Sequence, residues 1–253
     1  MYIPHVLLDG DKVIANVSVN LMQFDVNGIK KNYIQLGTVM THPDYRNQGL
    51  GREIMEHIME EYAGKADGIY LFGNDSVLEY YPKFGFKPSK EYEYYMLCNN
   101  SSVNTYQLEK VDMSSLKKSE QLYEEIGSAA NYFNENTALY MNENIGLYQF
   151  WLADEYGEQI YYLPETGNYV IAALKGDSLH IYQIFGRQKV DMQRLVKAFG
   201  EEVKEAVLGY TPVCKEEFLV REHKEEDCTL FIMGEDLERI EGEKMMFPAL
   251  SHA

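Results

Sequence analysis

The stretch Val39-Met-Thr-His-Pro-Asp-Tyr-Arg-Asn-Gln-Gly-Leu-Gly-Arg52 decides how this chain is read. Before it, Ile34 and Leu36 set an alternation that slips by one residue at Gly37, after which Val39 takes the apolar phase. A phase slip beside a glycine is what a β-bulge produces. After it, Leu50, Ile54, Ile58 and Tyr62 recur at helical spacing and predict a helix over 49–63. His42-Pro43-Asp44 closes the strand between them. The first turn of a helix carries unpaired N–H groups and a partial positive charge, which suit an anion. Gly49 and Gly51 clear side chains from the approach of a phosphate, and Arg46 and Arg52 add cations. The stretch reads as a pyrophosphate cradle. It has no GxxxxGK[ST], which disfavours an ATP-type P-loop, and no GxGxxG follows a strand.

Working outward, residues 2–8 predict a strand and Asp9-Gly10-Asp11 a turn. Val13, Ala15, Val17, Val19 and Leu21 then alternate with Asn16, Ser18 and Asn20, the period of a half-buried strand. Asn27-Gly28 is a hairpin signal, so 32–41 returns antiparallel. Beyond the helix come a short strand at 69–72, a helix from Asn74-Asp75-Ser76 ending near Gly85, and a strand over 92–98. The polar run Asn99-Asn100-Ser101-Ser102 marks a domain boundary, dividing the chain into 1–99 and 103–253. In the second part, 106–111 predicts a strand, 113–150 mostly helix, and 159–163, 168–174 and 178–185 a meander. A helix over 191–203 and strands over 205–210 and 227–233 follow. The order of strands, helix and strand in 2–72 thus recurs in 159–210.

Arg46-Asn-Gln-Gly-Leu-Gly51 resembles the (Arg/Gln)-x-x-Gly-x-(Gly/Ala) motif of the Gcn5-related N-acetyltransferase superfamily. Asn74, then Tyr81 and Lys83-Phe-Gly-Phe86, is similar to that family's downstream Asn…Tyr-x-x-x-Gly-Phe motif. The resemblance covers roughly residues 2–98. It implies an α/β fold with two acetyltransferase-like halves, each a mixed, mostly antiparallel sheet flanked by helices. It implies acetyl-CoA as cosubstrate, with the backbone of Val39, Met40 and Thr41 pairing with the pantetheine arm. The amides of Asn47, Gln48, Gly49, Leu50, Gly51 and Arg52, with Arg46, would hold the pyrophosphate, and Asn74 would touch the cofactor arm. Tyr81 would protonate the departing thiolate, with Tyr80 as the alternative. The family often places an acid on the fourth strand as general base; Gln35 stands at the corresponding position here. Base catalysis is then left to water, Asp25, His5 or a group from the second half. That half has Gly186-Arg-Gln-Lys-Val-Asp191 where the cradle would be, without paired glycines, and resembles a degenerate copy.

A net charge of −17, from 23 basic and 40 acidic residues, argues against nucleic acid; it either simply keeps the protein in solution or provides a field that attracts a cationic amine acceptor, a small molecule or a peptide. The sequence offers no membrane span and no signal peptide. Three sparse cysteines fit a reducing, cytoplasmic setting and show no zinc-ligand spacing, so no metal is expected. A homodimer is left open. The apolar tail Met245-Met-Phe-Pro-Ala-Leu-Ser-His-Ala253 is expected to dock and the second half to complete the acceptor cleft; the tail either only covers a hydrophobic seam or supplies His252 or the terminal carboxylate as base. The expected activity is N-acetyl transfer to a primary amine. The rival is a silent acyl-CoA-binding or protein-interaction module.

Overall fold

The computed structural model describes residues 1–98, 104–128 and 133–252. The predicted boundary at 99–102 and the last residue, Ala253, lie outside the described residues. In chain order the first part runs β1 (Tyr2–Asp9), β2 (Lys12–Val26), β3 (Ile29–Thr41), α1 (Leu50–Glu61), β4 (Gly68–Gly73), β5 (Lys87–Ser89) and β6 (Glu91–Leu97). The next stretch holds β7 (Glu109–Lys110), α2 (Leu116–Ser128), β8 (Leu139–Asn142) and α3 (Ile145–Ala153). Then come β9 (Ile160–Leu163), β10 (Asn168–Lys175), β11 (Ser178–Phe185), α4 (Met192–Phe199) and β12 (Glu205–Leu208). The chain finishes with β13 (Leu219–His223), β14 (Thr229–Met233) and α5 (Arg239–Gly242).

Two mixed sheets result. The first has the order β1-β2-β3-β4-β14-β5, with β8 added against β2; the second has the order β13-β6-β12-β11-β10-β9-β7. Each holds an antiparallel meander, a helical crossover and one parallel pair, β3 with β4 and β11 with β12. The β2–β3 hairpin turns on Asn27 and Gly28, both at positive φ, as a tight hairpin turn requires.

The two sheets exchange strands. β6, from the first part of the sequence, pairs with β12 and β13, while β14, near the chain end, pairs with β4 and β5. Each donated strand occupies the same place in the recipient sheet, next to the second strand of the parallel pair. Neither sheet is therefore complete without the other part of the sequence.

The burial pattern follows the alternation. On one face of the first sheet Val17, Val19, Ile34, Leu36, Ile69 and Leu71 pack against Ile54, Met55 and Ile58 of α1. On the second sheet Ile181, Leu179 and Ala206 pack against Leu195 and Val196 of α4. A third core joins the opposite faces of the two sheets, and the tail is part of it: Met245, Phe247 and Leu250 are fully buried. Phe247 stacks on Tyr70 at 4.0 Å and meets Phe24, Tyr33 and Phe72 edge-on. A buried aromatic of this kind contributes about 3–5 kcal/mol.

Several expected elements differ. The helix expected from Asn74 to Gly85 is two 3-10 turns, Asp75–Val77 and Tyr81–Phe84. Pro82 lacks the N–H that a continuous helix needs. The strand expected over 106–111 shrinks to Glu109–Lys110, and the expected helical stretch 113–150 contains β8. All four residues of β8 are buried, so they show no alternation to betray a strand.

Candidate active site

The parallel β3–β4 ladder runs from Tyr33–Gly68 to Leu36–Leu71 and then stops. β3 continues to Thr41, and β4 continues to Gly73 while pairing on its other side with Leu230 and Thr229 of β14. A slot opens between them, walled by the backbone of Gly37 to Thr41 on one side and Phe72 and Gly73 on the other. A β-bulge drives the divergence: Ser18 faces Gly37 and Asn16 faces Met40, so Thr38 and Val39 oppose Val17 alone. The bulge falls one residue beyond the glycine that announced it. Thr38, not Gly37, takes the positive φ of 49°. That conformation is costly for a β-branched residue. The buried Asn16 amide donates to the Thr38 carbonyl at 2.8 Å and holds it there.

The cradle follows. Pro43–Tyr45 form a 3-10 turn, with the Asp44 N–H donating to His42 Nδ1. Tyr45 Oη donates to Asp9 at 2.6 Å, which ties the turn to the end of β1. Arg46 Nε donates to the Thr41 carbonyl at 3.3 Å, so its guanidinium lies over the strand end. Asn47 and Gly49 both adopt positive φ, and Gly49 stands at the N-cap of α1 with no side chain capping the helix. The first-turn amides thus have no capping side chain among the described residues. The two glycines serve different ends. Gly49 is needed for its φ of 85° and has open space around it. At Gly51 a Cβ would lie 3.0 Å from Tyr80 Oη and 3.5 Å from Thr41 Oγ1. Arg52 is exposed and pairs loosely with Glu56 at 3.8 Å.

The two neighbouring tyrosines separate. Tyr80 aims its hydroxyl at Gly51, beside the cradle. Tyr81 is buried and lies against Gly73, where a Cβ would be 2.9 Å from its ring, with Phe231 and Phe86 around it. It therefore backs the β4 lip of the slot. Burial pushes its phenol up to about 12, so it carries its proton at neutral pH. Asn74, exposed just beyond β4, accepts from Ser76 N at 3.2 Å and caps the following turn.

On the face away from α1, the slot is flanked by buried Asn16, Ser18, Asn20 and Gln35. Gln35 receives a long hydrogen bond from Tyr70 Oη at 3.5 Å. Of the candidate bases, Asp25 accepts the Gly28 N–H in the hairpin turn, and His5 lies against Tyr62 at the end of α1. Neither reaches the slot. His252 does approach it: its ring stacks on Phe72 at 3.9 Å, and the Trp151 indole donates to its carbonyl at 3.0 Å. Burial lowers His252 to about 4, and its Nε2 is buried without a partner among the described residues. Sequence reasoning missed Glu91. This buried carboxyl accepts the Phe247 N–H at 2.7 Å, and burial raises it to about 7. It lines a cavity of about 640 Å³ beside Phe72 and Asp75, with Glu222, Glu225 and Asp227 on its wall. The acidic run at 225–227 was the available signal, but only the fold brings it to Phe72.

Residues 3–88 match the family model described as acetyltransferase (GNAT) domain, a span that includes bulge, cradle and Tyr81. Residues 3–88 are a GNAT acetyltransferase domain. The whole chain is similar in fold to Eis1 from Mycobacterium abscessus (12% identity, TM-score 0.55, 89% of this chain and 62% of that one). It is also similar to a GCN5-related N-acetyltransferase from Anabaena variabilis (13%, 0.56, 90% and 61%). A third is a probable N-acyltransferase of unknown function from Enterococcus faecalis (15%, 0.51, 88% and 57%). The chain spans about three-fifths of the length of these structures. No curated protein sequence gives a significant match. The likeness covers both sheets, so the GNAT domain and its exchanged partner form one recurring architecture. No helix among the described residues is long and apolar enough to cross a membrane.

Proposed function

We propose that the chain is an N-acetyltransferase that moves acetyl from acetyl-CoA to a primary amine. The observation that carries this reading is the conjunction of an open slot at the bulge with an uncapped helix start ten residues later in the chain. The backbone of Val39, Met40 and Thr41, paired with β2 on one edge but beyond the end of the β4 ladder on the other, takes the pantetheine as an added strand on that second edge. The amides of Asn47 to Arg52, with the side chains of Arg46 and Arg52, hold the pyrophosphate. Asn74 keeps its amide N–H₂ free of the capping bond and faces the cofactor arm. The amine attacks the thioester carbonyl and gives up a proton to water; the C–N bond forms, the C–S bond breaks, and Tyr81 gives its proton to the sulfur and regains one from solvent. The acidic cavity beside Phe72 supports a cationic acceptor, and the docked tail supports a cleft shared by both parts of the chain. The rival, a silent acyl-CoA-binding module, draws on one observation: Gln35 cannot take a proton from the ammonium.

Release of free thiol from acetyl-CoA over a panel of mono- and polyamines tests the proposal. Wild type is expected to turn over with at least one amine, faster at low salt than at high salt. Tyr81→Phe is expected to lower kcat by about 10²–10⁴-fold while sparing CoA affinity. Absence of turnover with tight CoA binding would favour the silent module. Full activity in Tyr81→Phe and a loss in Tyr80→Phe would move the acid to Tyr80.

A further inference from the structure

At the far end of α1 from the cradle, three side chains converge that acetyl transfer does not use. His57 and Glu61 stand one turn apart on α1, and His5 reaches up from the edge strand β1. His57 Nε2 lies 3.3 Å from Glu61 Oε2, and His5 Nδ1 lies 3.9 Å from the same oxygen. The three donor atoms all fall within 4.8 Å of one another. Around a tetrahedral zinc ion with bonds of about 2.0–2.1 Å, neighbouring donors stand about 3.3–3.4 Å apart. One edge of that figure is already present, and short movements of the exposed His57 and half-buried Glu61 side chains close the others.

We infer that His5, His57 and Glu61 form a binding site for a divalent transition-metal ion of the zinc class, clamping β1 to the C-terminal end of α1. Four features separate this set from an ordinary surface ion pair. A helical His57–Glu61 pair needs no third member, yet His5 turns its Nδ1 toward the same carboxylate. The other nitrogen of His5, Nε2, lies 3.2 Å from Tyr62 Oη. That outer contact fixes the ring and leaves Nδ1 to bind, as hydrogen bonds to metal-bound imidazoles do. His5 is only 14% exposed at its side chain while His57 is 62% exposed, so the site is anchored on one side and open to ions on the other. The site also sits where the α1 dipole is negative, which favours a cation. Two imidazoles and one carboxylate suit zinc better than magnesium or calcium, and a water would complete the four-coordinate shell. Sequence spacing hides the set, because His5 lies on a different element from the other two.

The test uses the untagged full chain, stripped of metal and titrated with zinc chloride by calorimetry. One equivalent is expected to bind at micromolar concentration or below, and to raise the melting temperature. His57→Ala alters an exposed side chain and Glu61→Gln a half-buried one, and neither belongs to a core cluster among the described residues. Each is expected to weaken zinc at least about tenfold and to remove the melting shift. Undetectable zinc binding by wild type, or wild-type affinity in both variants, would overturn the inference. CoA affinity should be unchanged in both variants, which keeps this test independent of the acetyl-transfer reading.

Discussion

The two sheets of this molecule share an order of elements and part company at the place where a cofactor would sit. In both, an antiparallel meander leads through a bulged third strand into a helix and back to a parallel strand; β11 carries its irregularity opposite Ile171 and Ala172, as β3 does opposite Val17. At the start of α1 stands Gly49, without a side chain. At the start of α4 stands Asp191, whose carboxylate accepts from the amides of Gln193 and Arg194 at 3.0 and 3.2 Å. The second helix start thus already holds an anion, its own. The space beyond the second parallel ladder is also taken. Asn134 donates to the Ile184 carbonyl, the Asn136 side chain donates to the Gln188 carbonyl and accepts the Val190 N–H, and the Ala138 and Val213 N–H groups donate to the carbonyls of Thr211 and Asn136. Where the first sheet leaves one edge of β3 without a strand partner beyond Leu36, the second fills the matching gap with its own peptide. One fold therefore carries one open site and one that is internally satisfied.

The largest way to break this contrast is to put acid into the open site. Gly49→Asp with Gly51→Asp gives the first helix start the charge that the second already has, and strains the backbone at Gly49. Placing like charges against a diphosphate costs several kcal/mol. CoA affinity measured by calorimetry is expected to fall by roughly a thousandfold or more, with the circular dichroism spectrum retained. Unchanged affinity would remove the cradle from the account.

A second change sharpens how the parts hold together. Glu91 sits on the exchanged strand β6 and accepts the N–H of Phe247 in the tail, so it joins the two sheets at their shared core. Its carboxyl is raised by burial from 4.5 to about 7. A raised carboxyl favours folding while it holds its proton. That contribution is complete below about pH 4.5 and is lost as pH rises through about 7. Glu91→Gln keeps the acceptor oxygen and cannot ionise. The variant is expected to be more stable than wild type at pH 8, by on the order of 3 kcal/mol, and to show a flatter melting profile between pH 4.5 and 7. A wild-type profile in the variant would show that Glu91 does not titrate in this window.

Much of the open site was legible in residues 2–86, for physical reasons. Alternation in β2, Asn27-Gly28, the phase slip near Gly37 and the paired glycines are local signals, and each has a local structural consequence. The exchange of β6 and β14 was not legible. Glu91–Leu97 and Thr229–Met233 have strand-like sequences that fit either sheet, and nothing local names the partner. The same holds for β13, whose mixed sequence Leu-Val-Arg-Glu-His lies at a sheet edge. The site followed the same division. Tyr81 and the cradle are proposed from local motifs and the resemblance they carry, whereas Glu91, the stacking of His252 on Phe72 and the acidic cavity depend on contacts between distant segments. Asp191 was visible in the sequence, but only as the residue after a missing glycine pair; its capping bonds explain why that helix start is closed.

The smallest expected effect probes the closed site. Asp191→Ala removes the cap from α4 and should cost about 1 kcal/mol of stability by chemical denaturation. It should create no new CoA site, because segment 134–138 still bridges the gap beyond β11 and β12. A second CoA equivalent bound by Asp191→Ala would show that the carboxylate alone closes that half.

Counting bound CoA distinguishes one cofactor-binding half from two. Native mass spectrometry of the full chain with saturating CoA should show one CoA per chain in the wild type and none in the Gly49→Asp, Gly51→Asp variant. Two CoA molecules per wild-type chain, or one retained by the variant, would contradict the account.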